Sequence, residues 1–175
     1  MHVTGIQRQK LQHLCIYLVL LSANLSGQTF DQAKSLYYKG VDGDKTATRE
    51  STAILSKLAA QKPGDPLIAA YLASNKLLES SRTFALWNKN RLAKEGTLGL
   101  DRAVGMAPDN LEVRFIRAAS TWNLPGFFKR QEQSEADFAY LAPRVAEAAV
   151  KGTLEKRLAD AALHYYGQIL HHQKR

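Results

Sequence analysis

Lys62-Pro-Gly-Asp-Pro66, followed at once by Leu67-Ile-Ala-Ala-Tyr-Leu-Ala-Ser-Asn-Lys-Leu-Leu78, is the stretch on which the fold turns. Pro63 and Gly64 stop a preceding helix. Asp65 can then accept from the first free backbone N–H groups of a new one, and Pro66 suits its first position, where the missing donor costs nothing. Leu67, Ala70, Tyr71, Ser74, Leu77 and Leu78 recur at three- and four-residue steps, which places them on one face of a helix that has to be covered by neighbours.

The same grammar extends in both directions. Upstream, Phe30, Ala33 and Tyr37 mark a short helix that stops at Gly40. Asp42-Gly-Asp44 forms a turn, and Asp44 is a suitable N-cap for a second helix with Ala47, Ser51, Ile54, Leu55 and Leu58 on one face. Downstream, Ser80-Ser-Arg-Thr83 breaks the third helix, and a longer fourth runs from Phe84 to Ala107 with a face of Gly96, Leu100, Ala103, Val104 and Ala107. Pro108-Asp-Asn110 repeats the stop and start, and Asp109 with Glu112 has the spacing of a capping box. The fifth helix carries Leu111, Phe115, Ala118, Ala119 and Trp122. Leu124-Pro-Gly126 ends it, after which Phe127 and Phe128 are expected to fold back on the core.

Phe138, Leu141, Ala142, Val145, Ala148 and Ala149 keep one helical phase across Pro143. Either one kinked helix or two nearly collinear ones satisfies that phase, because proline removes a single backbone bond. Gly152 terminates this region, Thr153 is the expected cap of the last helix, and Leu154, Leu158, Ala161, Ala162, Tyr165 and Ile169 form its buried stripe. The tail from His171 to Arg175 frays. The reading is therefore all-α, with about seven helices and almost no alternating β-branched stretches.

The chain has 175 residues, the size of one domain, and its 45% apolar and 23% charged residues with only 5 Pro and 11 Gly exclude disordered and collagenous classes. Its formal charge is +8. Arg8 and Lys10 lie in residues 1–28, which hold no acid, so the remaining 147 residues carry 22 basic against 16 acidic groups. An excess of that size, without zinc spacing or a glycine-aromatic RNA signature, points away from nucleic acid.

Arg8 and Lys10 precede an uncharged segment whose most apolar part is Leu14-Cys-Ile-Tyr-Leu-Val-Leu-Leu21. Ser22, Ala23, Ser26 and Gly27 supply small residues beyond it. This is the layout of a secretory signal, expected to be cleaved after Gly27 or Gln28, and it divides the chain into 1–28 and a helical domain over 29–175. Residues 11–30 are the alternative, an uncleaved single-pass anchor, since 20 uncharged residues match the ~20 that cross a bilayer as a helix. Cys15 is the only cysteine and follows Leu14, not a small residue, which argues against lipidation. A cleaved product has no disulfide and no thiolate chemistry.

Leu58-Ala-Ala-Gln-Lys-Pro63 and Ala103-Val-Gly-Met-Ala-Pro108 look alike when their prolines are superposed, and ten residues beyond each proline stand Ala73 and Ala118. The second stretch, with Leu100, Ala103, Pro108, Asp109 and Asn110, resembles the end of one tetratricopeptide repeat and the opening of the next. The two prolines are 45 residues apart, where the family period is ~34. The family's Trp, Leu, Gly and Tyr positions are mostly unmatched, and the likeness is best over 45–123. What the resemblance implies is a short right-handed solenoid of antiparallel helix pairs, with small residues at Ala73 and Ala118 for close helix approach and a hollow side that binds peptides or proteins.

No metal or cofactor site is expected. His164 and His171 share a helix flank but lie seven residues apart, about 10.5 Å along the axis, and His172 points away from both. A calcium loop begun at Asp42 needs glycine and a bidentate acid where Ala47 and Ala53 stand. Glu132, Glu135 and Asp137 are close enough in sequence for acid–base work, yet Lys129, Arg130 and Arg144 can neutralise them, and a solvated face is the expectation.

Arg82, Lys89, Arg91 and Lys94 give four positive charges before the next acid, Glu95. Among the aromatics, Trp122 reads as core and Trp87 is divided between core and surface. Arg114 and Arg117, with Asn75, Lys76 and Trp87, are the candidate partner-binding residues, because guanidinium can grip a carboxylate with two bonds. Salt bridges within the helix stack are the competing role for the arginines. The expected function is a non-catalytic, exported scaffold, periplasmic or secreted in the manner of a bacterial envelope protein, that binds a protein or an acidic peptide. A membrane-anchored assembly factor and an enzyme with scattered catalytic groups are the alternatives.

Overall fold

A computed structural model describes residues 29–173. The signal or anchor segment, residues 1–28, lies outside them. Helix α1 covers 29–41, followed by α2 (Lys45–Gln61), α3 (Pro66–Ser81), α4 (Leu86–Met106), α5 (Leu111–Thr121), a single 3₁₀ turn at Gly126–Phe128, α6 (Gln131–Val150) and α7 (Lys156–Gln173). No strand occurs among the described residues.

The helix starts follow from local chemistry. Asp44 accepts from the Thr46 and Ala47 amides at 2.8 and 2.9 Å, and Asp65 accepts from Leu67 and Ile68 at 2.9 and 3.1 Å, with Pro66 opening the helix. Each such cap contributes roughly 1 kcal/mol. At the next restart Asn110 is the cap, accepting from Val113 at 3.0 Å. The expected Asp109–Glu112 box does not form, because both side chains are drawn to other helices: Asp109 to Tyr140 at 2.9 Å and Glu112 to Tyr71 at 2.6 Å.

Helix α6 passes unbroken through Pro143, so the two-helix alternative drops out. Its end is a Schellman turn. Gly152, at φ 69°, lets the Thr153 amide reach the Ala148 carbonyl at 2.9 Å while its own amide reaches Ala149 at 3.1 Å. Thr153 Oγ1 also donates to Ala148, so Thr153 closes α6 and does not cap α7.

Consecutive helices pack as neighbours from α2 to α7, and the odd-numbered helices also pack on one another, α3 on α5 and α5 on α7. Helix α1 joins α2 through the Ser51 hydroxyl, which donates to the Ala33 carbonyl at 2.8 Å, and it joins α3 and α5 through a buried run of hydroxyls, Tyr37 to Ser74 at 2.9 Å and Ser74 to Ser120 at 2.7 Å. Tyr71, Phe138, Leu55, Leu100, Ile116, Leu141 and Leu158 are the largest fully buried side chains, and one continuous core includes them all.

The tightest seam lies between α3 and α4. A Cβ placed on Gly99 would stand 2.7 Å from the Ala73 Cβ, and one on Gly96 would stand 2.8 Å from Leu77 and 2.9 Å from the Ala73 carbonyl oxygen. Both positions therefore need glycine, and the approach centres on Ala73.

The ends of the helices come together in two groups. At one end the Arg82 guanidinium ties the α3–α4 turn to the Gly40 carbonyl and, at 2.8 Å, to Thr48 Oγ1 beside the α1–α2 turn. At the other end Lys34 bridges Glu112 and Glu155 at 2.6 and 2.5 Å, and Arg157 lies 3.4 Å over the Tyr38 ring. Helices α1 and α7 thus touch through their neighbouring segments, where an open stack would hold them apart.

Candidate functional site

The five residues singled out from sequence fall in four different places. Arg114 and Arg117 project from α5 onto Asp137 of α6, which is 1% exposed and accepts from Arg114 at 2.7 Å and from Arg117 at 2.7 and 2.8 Å. Burial opposes the charge on Arg117, and the Asp137 carboxylate more than offsets it, so the guanidinium is held above its usual range. Asp101 extends the network, taking Arg130 at 2.7 Å, Gln133 at 3.0 Å and Arg117 at 3.5 Å. These two arginines bind the stack to itself.

Asn75 is fully buried. Its Nδ2 donates to Ser51 at 3.0 Å, and its Oδ1 has no hydrogen-bond partner. It serves as an interhelical polar contact between α3 and α2.

Lys76 pairs with Glu95 at 2.9 Å, as does Arg91 at 2.8 Å, and hydrogen bonds from Lys76 and then Arg91 hold the Glu95 carboxyl below its usual range. Both Lys76 and Glu95 sit on the rim of a recess of about 300 Å³. The floor of the recess is α3, through Ala69, Leu72 and Ala73; one wall is the end of α2, through Ala59 and Pro63, and the other is α4, through Gly99, Arg102 and Met106. The recess exists because α2 and α4 flank α3 without comparable packing between them. Small residues keep its floor low. Arg102 is exposed and forms no ion pair with a described residue.

Trp87 is 76% exposed, next to Leu86 at 70% and Phe84 at 99%. Trp122, by contrast, packs edge-on to Phe138 with ring centres 6.3 Å apart, as a core residue does. Phe128 likewise packs on the core, whereas Phe127, expected to join it, stands 73% exposed at the 3₁₀ turn.

The remaining candidates stay dispersed. His164 meets Gln168 at 3.0 Å, His171 and His172 are exposed on the last turns of α7, and no group of three metal-ligating side chains converges among the described residues. Asp44 acts as a cap. Glu132 and Glu135 line a surface recess of about 470 Å³ beside Lys129, Arg130 and Leu124, and Gln131 bonds Glu135 at 3.3 Å. No helix among the described residues is long and apolar enough to cross a membrane.

Two features were missed from sequence. Asp137 reads in sequence as one of the solvated acids, although its place between Ser134 and Leu141 puts it on the buried stripe of α6. The sequence reading starts α4 at Phe84, yet the helix starts at Leu86, leaving Phe84 in the turn, and Ser80 at the end of α3 bonds the Lys89 carbonyl at 2.8 Å. Between those two points Phe84, Leu86 and Trp87 protrude, while Arg82 is held back against Gly40 and Thr48. No protein-family model, curated protein or solved structure matches this chain.

Proposed function

We propose that the chain is a non-catalytic binding module, a short tetratricopeptide-like stack exported from the cytoplasm, that holds a protein or peptide in the recess between α2 and α4. The observation that carries this reading is the recess itself. Its floor of alanine and leucine accepts an apolar side chain, and Arg102, which forms no ion pair with a described residue, favours a neighbouring carboxylate, whereas Lys76 is already held by Glu95 on the same rim. The packing of α3 on α5 and of α5 on α7 supports the solenoid reading for those helices, as does the close approach centred on Ala73, while α1 departs from it by reaching the start of α7 through Lys34 and Tyr38. Export rests on the composition of residues 1–28.

Recovery of partners from the native cell envelope tests the proposal. Wild type is compared with Arg102→Glu, which reverses the rim charge, and with Ala69→Trp, which fills the floor. One protein recovered by the wild type and lost from both variants, with helicity by circular dichroism unchanged, is the expected result; retention of every partner by both variants refutes the recess as the site. The intact mass of the native protein separates export from anchoring, since loss of residues 1–27 or 1–28 is incompatible with an uncleaved anchor.

A further inference from the structure

At the far end of the α3–α4 pair from the recess, three large apolar side chains within four residues face solvent: Phe84, Leu86 and Trp87. Phe84 lies in the turn and touches almost nothing of its own chain, while Leu86 and Trp87 open α4 and point about 100° apart around its axis. They form no stripe that one groove in a partner protein could take along a helix side. The shape is a convex wedge, set end-on, about one helical turn deep.

The charge around the wedge is predominantly positive. From Arg82 to Lys94 there is no acid. Lys89 and Lys94 are exposed and form no ion pair with a described residue. On the other flank Lys45 and Arg49 line a shallow recess with Arg82 and Thr83, in which the only acid among the described residues is Glu79, engaged by Thr52 at 3.2 Å. Ala85, the residue preceding α4, supplies no side-chain cap, so the first amides of that helix are open at the tip as well.

We propose that this tip docks on an anionic bilayer surface, with Phe84, Leu86 and Trp87 entering the boundary between headgroups and acyl chains and Lys89, Lys94, Lys45 and Arg49 facing the phosphates. The depth matches, because interfacial segments bury their apolar atoms by roughly 5–10 Å and four residues of turn and helix start reach that far. The chemistry matches too. Aromatic rings with apolar bodies are favoured at the headgroup level, and each cation near an anionic surface strengthens binding about fivefold. This inference is independent of the recess and of whether residues 11–30 remain on the chain.

Tryptophan emission of the full chain is the readout, because association through the amino-terminal segment alone would leave Trp87 in water. With vesicles containing phosphatidylglycerol, emission shifts to the blue and is quenched by lipids brominated near the top of the acyl chain. Trp87→Phe, an exposed and structurally tolerated change, removes that quenching while Trp122 remains. Phe84→Ser with Leu86→Ser weakens the vesicle-induced shift at least about tenfold. Lys89→Gln and Lys94→Gln each raise the lipid concentration needed about fivefold. Absence of quenching with every vesicle overturns the proposal. Equal quenching by pure phosphatidylcholine vesicles overturns its anionic part. An emission unchanged by lipid, together with loss of a specific protein partner from the Phe84→Ser, Leu86→Ser chain, assigns the tip to a protein instead.

Discussion

Asp137→Ala measures directly what Arg114 and Arg117 are for. The carboxylate is 1% exposed and receives three charge-assisted hydrogen bonds of 2.7 to 2.8 Å from two guanidinium groups that are themselves mostly covered, with 19% and 12% of their side chains exposed. Removing one member of such a buried cluster costs roughly 3–5 kcal/mol, since the opposite charges are left without an answer. The lower end applies here. Arg117 keeps Asp101 at 3.5 Å, and Arg114 keeps its place over the Tyr140 ring at 4.0 Å, so neither is fully stranded. About 3 kcal/mol corresponds to a fall in Tm of about 6–12 °C for a domain of this size. Urea unfolding followed by far-ultraviolet circular dichroism gives the free energy, and Arg117→Ala with the Asp137→Ala, Arg117→Ala double variant completes a thermodynamic cycle. A loss below about 1 kcal/mol, or single-variant losses that simply add, would refute the assignment and return the arginines to the list of ligand-binding candidates.

Gly96→Ala gains about 1 kcal/mol of intrinsic propensity in the interior of α4 and Gly105→Ala, one residue from the helix end at Met106, gains less, yet the two are expected to have opposite signs. A Cβ on Gly105 meets nothing within 4 Å and stabilises, whereas one on Gly96 meets backbone at 2.9 Å and overpacks the seam by roughly 1–3 kcal/mol; equal effects in thermal melts would show that the seam is not tight. Stability should also fall at alkaline pH. Burial pushes the Tyr37 hydroxyl up to about 12, and burial together with the Glu112 carboxylate pushes Tyr71 up further, so the folded state holds protons that the unfolded chain releases above pH about 10. A raised folded pKa gives stability that is whole below the unfolded value and lost as pH climbs, here about 3 kcal/mol from Tyr37 alone between pH about 10 and about 12. Lys34 moves the same way: burial lowers its pKa, bonds from Glu112 and Glu155 outweigh this, and its contribution fades above pH 10.5. Urea midpoints at stepped pH check this, and Tyr37→Phe must flatten the alkaline slope.

Helix positions were legible in the sequence because their signals are local. Asp44, Asp65 and Pro66 act on amides two or three residues away, and Gly152 acts through its own φ, so no distant residue is needed to read them. The failures are the places where a distant partner decides. Asp109 and Glu112 have box spacing, but Tyr140 and Tyr71 offer them stronger bonds from other helices. The candidate site divided in the same way. Lys76 reached an accessible rim and Trp87 an exposed tip, whereas Asn75, Arg114 and Arg117 were claimed by Ser51 and Asp137, residues whose proximity depends on how α2, α3, α5 and α6 cross. An arginine suited to a ligand's carboxylate is equally suited to the chain's own, and only packing tells the two apart.

That packing also bears on where a partner can sit. In a stack whose odd helices line a hollow, the natural groove would run over Tyr71, Ser74 and Ser120. Here Tyr37 bonds Ser74, Tyr38 donates to the Tyr71 hydroxyl at 3.0 Å, Tyr71 donates to Glu112, and Lys34 closes the chain by gripping Glu112 and Glu155 together. Helix α1 occupies that line, and the ion pairs that hold it involve half-buried groups whose separation would strand a lysine and two carboxylates at once. Displacing α1 to admit a ligand would also expose Tyr37 and the run of hydroxyls behind it. The outer recess over α3 and the tip of the α3–α4 hairpin are open to solvent without that cost. Both surfaces are carried by the same pair of helices, whose backbones Gly96 and Gly99 allow to approach closely, so one tightly packed seam supports both the recess and the exposed tip.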